Sequence, residues 1–211
     1  MWVLAVGTMM SVLAMRMFPA GETSASATGV AGTSGPVGSD RDLPVLYSAP
    51  VFSLTDQSGQ TITSDQLHGH PWVADFIFTT CTSLCPLMSS HMETLQGQLP
   101  ADIKLVSFSV DPVHDTPPVL LAYAAQYHAQ PGRWIFLTGD LKTQTAVVNG
   151  MKLFFKPATD GQPIQHDQHF VLVDGQGRVR GYYDSYAPED LQNLLRDAQY
   201  LTDHGDGGSQ P

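Results

Sequence analysis

Basic residues are scarce in this chain: Lys and Arg total 10 against 20 Asp and Glu in 211 residues, for a formal net charge of −10. No basic stripe is available to neutralise phosphates, so nucleic acid is not an expected partner. Charge of either sign is sparse, at 14% against roughly 25% in an average soluble domain, while apolar residues reach 42%. A core is therefore within reach, and part of the chain must be uncharged and non-globular. Cysteine occurs only twice. Two thiolates are too few for structural zinc, and one disulfide closing so short a loop would stabilise little. At about 150 residues per domain, the length fits one domain with something attached and excludes a multidomain machine.

The uncharged part lies at the start. Residues 1–15 carry no charged side chain, Arg16 being the first, and residues 1–18 read as a membrane anchor or a signal segment. The stretch is short for a spanning helix, which uses about 20 apolar residues, and no basic residue opens it as a signal peptide would. Residues 19–42 read as a flexible linker: of the 21 residues 20–40, 16 are Gly, Ser, Thr or Ala. Residues 43–201 have globular patterning, and the polar, glycine-rich residues 202–211 read as a disordered tail.

Within the globular part, strand-like and helix-like stretches alternate. Residues 52–63 predict a hairpin about the turn Asp56-Gln-Ser-Gly59, and residues 72–78 a central buried strand. A helix over 86–99 carries Leu87, Met88, His91, Met92, Leu95 and Leu99 at helical spacing, with Pro86 at its start. Strands at 103–110 and 134–138, helices at 117–128 and 140–150, a hairpin over 169–183 and a closing helix from 188 to 200 complete the pattern. Such alternation predicts an α/β, thioredoxin-like fold with a mainly parallel central mixed sheet, helices on both faces and an N-terminal hairpin. In open α/β sheets, sites form at the carboxyl ends of strands, where Thr79 to Cys85 lies.

The two cysteines stand four apart in Thr80-Cys81-Thr-Ser-Leu-Cys85-Pro86. A loop entering a helix at Pro86 sets Cys85 near the helix start and Cys81 one turn earlier, where the helix end favours thiolate over thiol. Three uses follow: a structural disulfide, a redox pair Cys81/Cys85, or a metal site. Two soft thiolates with one imidazole suit copper, Cu(I) in particular. Among the eight histidines, His91, His114, His166 and His169 are the candidates for the third ligand.

These segments resemble the Sco/SenC family of thioredoxin-fold copper chaperones that help assemble the binuclear copper centre of cytochrome c oxidase. The resemblance covers about residues 51–195. It rests on Phe76-Ile-Phe-Thr-Thr-Cys81-Thr-Ser-Leu-Cys85-Pro86, Ser107-Phe-Ser-Val-Asp-Pro112 with Asp115-Thr-Pro117, Trp134-Ile-Phe-Leu-Thr-Gly139, and His166 through Phe170-Val-Leu-Val-Asp174 to Gly177. It implies copper ligands at Cys81, Cys85 and His166, the histidine standing eight residues before Asp174, with His169 as second choice. Phe78, Phe76 and Trp72 are expected to floor the site, and Asp111 and Asp115 to stand near it. Val113-His114 departs from the family's charged pattern. The peroxiredoxin pattern is not met, because Phe78 stands where its proline would be, and residues 164–170 include no proline of the thioredoxin-reductase kind.

The function implied is a copper-binding chaperone, not an enzyme. It would be anchored by its N-terminal segment on the extracytoplasmic side of a membrane and deliver copper to the copper-receiving subunit of cytochrome c oxidase or another copper protein. A membrane-tethered thiol-disulfide reductase that keeps partner cysteines reduced uses the same two cysteines without His166. A third use of the same residues is a redox or copper sensor that transfers nothing.

Overall fold

Six consecutive residues, Trp72–Ile77, are all buried, and only a strand covered on both faces can accept such a run. This strand lies at the middle of the sheet. The computed structural model describes residues 43–159 and 162–205, so the proposed anchor and linker segments fall outside it. The strands are β1 (Tyr47–Ser48), β2 (Ser53–Asp56), β3 (Thr61–Thr63), β4 (Trp72–Ile77), β5 (Lys104–Ser109), β6 (Trp134–Thr138), β7 (Phe155–Lys156), β8 (Gln165–His166), β9 (His169–Val173) and β10 (Arg178–Asp184). The helices are α1 (Leu84–Gln98), α2 (Pro117–Gln126), α3 (Leu141–Gly150) and α4 (Pro188–His204).

Eight strands form one mixed sheet in the order β1-β10-β9-β4-β5-β6-β2-β3. Only β4, β5 and β6 run parallel; β9 and β10 on one flank and β2 and β3 on the other are antiparallel. The N-terminal hairpin joins the sheet as well as the C-terminal one, so antiparallel strands flank the parallel centre on both sides. The architecture is the expected thioredoxin-like one.

Period-two alternation divides the core. Val73, Ile77, Leu105, Phe170 and Leu172 face Met88 and Met92 of α1, Leu120 of α2, and Leu194 and Ala198 of α4. Trp72, Ala74, Phe76, Phe108 and Val171 face the other way, onto Val147 and Val148 of α3 and onto Phe52 and Leu54. Phe108 anchors that second core, stacked on Phe76 at 5.3 Å and met edge-on by Phe52 at 5.2 Å. Between α1 and α2, Ser89 Oγ and Tyr123 OH share a buried hydrogen bond of 2.8 Å. A Ser89→Ala change strands the phenol and is expected to lower the unfolding free energy by about 1–3 kcal/mol. The check is a lower urea midpoint at unchanged slope.

Helix boundaries differ from the sequence expectation by two residues or more at three places, one being α2, which stops at Gln126 and not at His128. Helix α1 opens at Leu84, two residues before the expected proline, so Pro86 sits inside its first turn; an N–H is dispensable there. Helix α4 continues to His204, with Leu201 buried, which moves Thr202–His204 from the expected tail into the domain; residues 206–211 lie outside the described residues. Two-residue strands β1, β7 and β8 were not foreseen. At the domain's start, the buried Arg180 guanidinium donates to the carbonyls of Leu43 and Pro44 and pairs with buried Asp174 at 2.8 Å.

Candidate metal centre

Strand β4 ends at Ile77, and the chain passes through Phe78 and Thr79 into the cysteine loop. The Cys81 amide donates to the Phe78 carbonyl at 3.1 Å, which turns the loop back toward the strand end. Ser83 occupies the N-cap of α1 but makes no side-chain cap bond. The Cys81 sulfur takes that role instead, accepting the Cys85 N–H at 3.4 Å. Cys81 Sγ also lies 3.6 Å from Ser83 Oγ.

The two thiols are made unlike by position. Partial burial works to raise Cys81, but hydrogen bonds from the Cys85 thiol and amide and from Ser83 outweigh it and lower the thiol below its usual range. Cys85, fully buried against Met88 and the first core, is pushed far up by that burial, and the neighbouring Cys81 adds to the effect. Cys81 is the thiolate-prone member and Cys85 the retained thiol.

His166 arrives from the two-stranded β7–β8 ribbon, where it pairs with Phe155. Its Nδ1 lies 2.7 Å from the Asp167 carbonyl oxygen, which can only accept, so Nδ1 carries the proton. The lone pair is left on Nε2, 3.2 Å from Cys85 Sγ. Burial lowers the His166 pKa and keeps the ring neutral at pH 7. Phe78 meets the imidazole edge-to-face at 5.7 Å. Phe78, Cys81, Leu84, Ile164 and His166 line a cavity of about 170 Å3.

The other expected residues separate. Of the three aromatics assigned to the floor of the site, only Phe78 is there. Trp72 and Phe76 point to the opposite core, since even-numbered residues of β4 face away from Cys85. His169 opens onto a different cavity, of about 490 Å3, with Tyr47, Lys152 and Tyr182, and its Nδ1 bonds to Asp167. His114 is exposed and bonded to Asp111 at 2.7 Å. His91 is partly buried on α1, with an unpartnered Nδ1. Asp115, buried behind the loop, accepts from Thr79 and Ser109.

One residue of the neighbourhood was missed. Asp75 lies on the Cys85 face of β4, fully buried, with neither carboxylate oxygen in a hydrogen bond of normal geometry. Burial raises its pKa to about 7, against smaller lowering effects of Ser107 and its own amide. A charged residue within an otherwise apolar strand was the available signal.

Among the described residues, no three His, Cys, Asp or Glu side chains are gathered at metal-binding distances. Cys85 and His166 are in contact, and Cys81 has to close on them to complete a three-ligand set.

Comparison with known proteins turns on these same elements. A SCO1/SenC family lipoprotein from Bacillus anthracis superimposes with a TM-score of 0.69 at 31% identity, over 74% of this chain and 95% of that one. BsSco, described as a member of the Sco family of cytochrome c oxidase assembly proteins with a disulfide switch, gives 0.66 at 32%, over 74% and 94%. ScoI of Bradyrhizobium japonicum, solved with copper bound, gives 0.57 at 26%, over 71% and 98%. The family model described as SCO1/SenC matches residues 46–199, a span that takes in both cysteines, the His166 ribbon and every strand of the sheet, and the chain belongs to that family.

Proposed function

We propose that this chain is a copper carrier that holds one copper ion with Cys81, Cys85 and His166 and hands it to a copper-receiving protein, the copper subunit of cytochrome c oxidase being the partner that fits its relatives. The observation that carries the reading is the Cys85–His166 contact of 3.2 Å, with the imidazole proton parked on the Asp167 carbonyl. A histidine oriented this way offers a lone pair and no N–H to the sulfur side, as a metal ligand must. Two thiolates and one imidazole form a soft trigonal set for Cu(I). Transfer proceeds by exchange of thiolate ligands with the recipient, and the shallow, part-exposed placement of Cys81 makes it the ligand that leaves first.

The carrier works beside a membrane, held there on the extracytoplasmic side by its N-terminal segment. The Bacillus anthracis relative is described as a lipoprotein. Among the described residues, no helix is long and apolar enough to cross a membrane.

The test is anaerobic titration of the reduced full-length chain with Cu(I), then with Cu(II). One copper per chain is expected, with a thiolate-to-Cu(II) charge-transfer band that Cys81→Ser and Cys85→Ser each abolish or displace. A Cys81→Ser chain with unchanged stoichiometry, affinity and spectrum sinks the assignment. Turnover of a model disulfide faster than a free dithiol would replace the carrier by a reductase.

A further inference from the structure

We propose that Asp115 is the positioning residue of this centre: by drawing Thr79 and Ser109 onto one carboxylate, it fixes the loop from which Cys81 projects. The inference rests on the reading of Cys81, Cys85 and His166 as one centre.

Asp115 is fully buried, and a carboxylate in that position is costly unless its oxygens are filled. They are filled from two strand ends. The Thr79 amide donates to both oxygens at 3.2 Å, the Thr79 hydroxyl donates to Oδ1, and the Ser109 hydroxyl donates to Oδ2 at 2.6 Å. Thr79 follows the end of β4 and Ser109 closes β5, so the carboxylate ties together the carboxyl ends of two parallel strands. Phe78, next to Thr79, carries the carbonyl that accepts the Cys81 amide and the ring that meets His166. One buried group thus holds the base of the thiolate arm and the wall of the imidazole arm.

Asp115 stands immediately before the N-cap residue of α2, where an acidic side chain ordinarily serves the helix. Pro117 and Pro118 lack an N–H, which leaves Val119 as the first-turn donor within a cap's reach, and Thr116 makes no side-chain cap bond. The carboxylate is directed to the cysteine loop instead. Asp111, the other acid of the same motif, pairs with exposed His114 and makes no such link. Asp115, the fourth residue after Asp111, thus links the Asp111–Pro117 motif to the cysteine loop through Thr79.

Two readouts test the role, one with copper and one without. In competition with bathocuproine, Asp115→Ala and Thr79→Val are each expected to weaken Cu(I) retention about 10- to 100-fold. The double variant should lose little more than Asp115→Ala alone, because the Thr79 hydroxyl bond is one of the links that the alanine already removes. Asp115→Asn keeps one carbonyl oxygen for Thr79 and should fall between wild type and alanine. In the metal-free readout, Cys81 thiolate attacks oxidised glutathione and releases one glutathione thiol. Cys85 then displaces the second from Cys81, and two electrons have passed from the cysteine pair to glutathione. This closure is expected to slow about 10-fold or more when the loop is no longer held.

Variants that melt at lower temperature yet retain copper and close the disulfide at wild-type rates overturn the proposal. If Asp115→Ala does not fold, Thr79→Val decides, since it keeps the backbone donor and loses only the hydroxyl. A wild-type chain that fails to hold Cu(I) would sink the metal reading of the centre, while the closure rates would still judge Asp115.

Discussion

Replacing His166 by alanine is expected to weaken copper retention at least about 100-fold, beyond what the loss of a residue merely supporting a ligand usually costs. The neighbouring His169→Ala change is expected to leave retention unaltered. Both histidines lie within four residues and both are tied to Asp167, yet they are tied differently. His166 bonds to the backbone carbonyl of Asp167 and turns Nε2 to Cys85; His169 bonds to the Asp167 carboxylate and faces the cavity of Tyr47 and Lys152. In the His166 variant, the copper spectrum should collapse toward that of a two-thiolate site. The measurement is chelator competition on both variants side by side. Equal losses, or a loss in His169→Ala alone, would move the ligand to the wrong strand and refute the register of β8 against β7.

Asp75→Asn is expected to reverse the order of stability with pH. A carboxyl that titrates near 4 in the unfolded chain and at about 7 in the folded one is held protonated by folding. Its contribution is therefore fully present below about pH 4, is lost as pH rises, and is gone above about 7, amounting in all to on the order of 4 kcal/mol. Asparagine does not ionise and escapes this loss, but its amide brings one more buried donor without a partner than the protonated carboxyl has, at about 1–3 kcal/mol. The variant should therefore be less stable than wild type near pH 4 and more stable by about 1–3 kcal/mol near pH 8. Urea unfolding at both pH values reads the crossing. Parallel stability curves would show that Asp75 has a solvent or hydrogen-bond partner in the folded state.

The parallel centre of the sheet was legible because residues 72–77, 104–109 and 134–138 are long, apolar runs bounded by turn residues. The cysteine pair was legible as chemistry from its spacing, whereas the choice of His166 over His169 came from the family resemblance: residues alone left four histidines open. The ribbon that carries His166 was not legible, since two residues per strand show no period. Trp72 and Phe76 were misplaced although the information was there. Counting by twos from Ile77, the neighbour of the cysteine loop, assigns Val73 and Asp75 to its side of the sheet and the aromatics to the other. Asp115 is expected near the site from the resemblance, but only the fold shows that its carboxylate takes Thr79 and Ser109.

A pull on the N-terminal end of a domain is met first by the strand at which the chain enters the fold. Among the described residues, β1 is an edge strand of two residues paired to β10 alone, which a pull could unzip one bond at a time. Arg180 changes the mechanics: its guanidinium grips the Leu43 and Pro44 carbonyls ahead of that strand, and Asp174 at the end of β9 holds the guanidinium. Tension on the chain before Leu43 is carried past the edge and into β10 and β9, whose neighbour β4 leads to the cysteines. The Arg180 clamp thus roots the N-terminal entry of the domain in two internal strands and not in the two-residue edge strand alone.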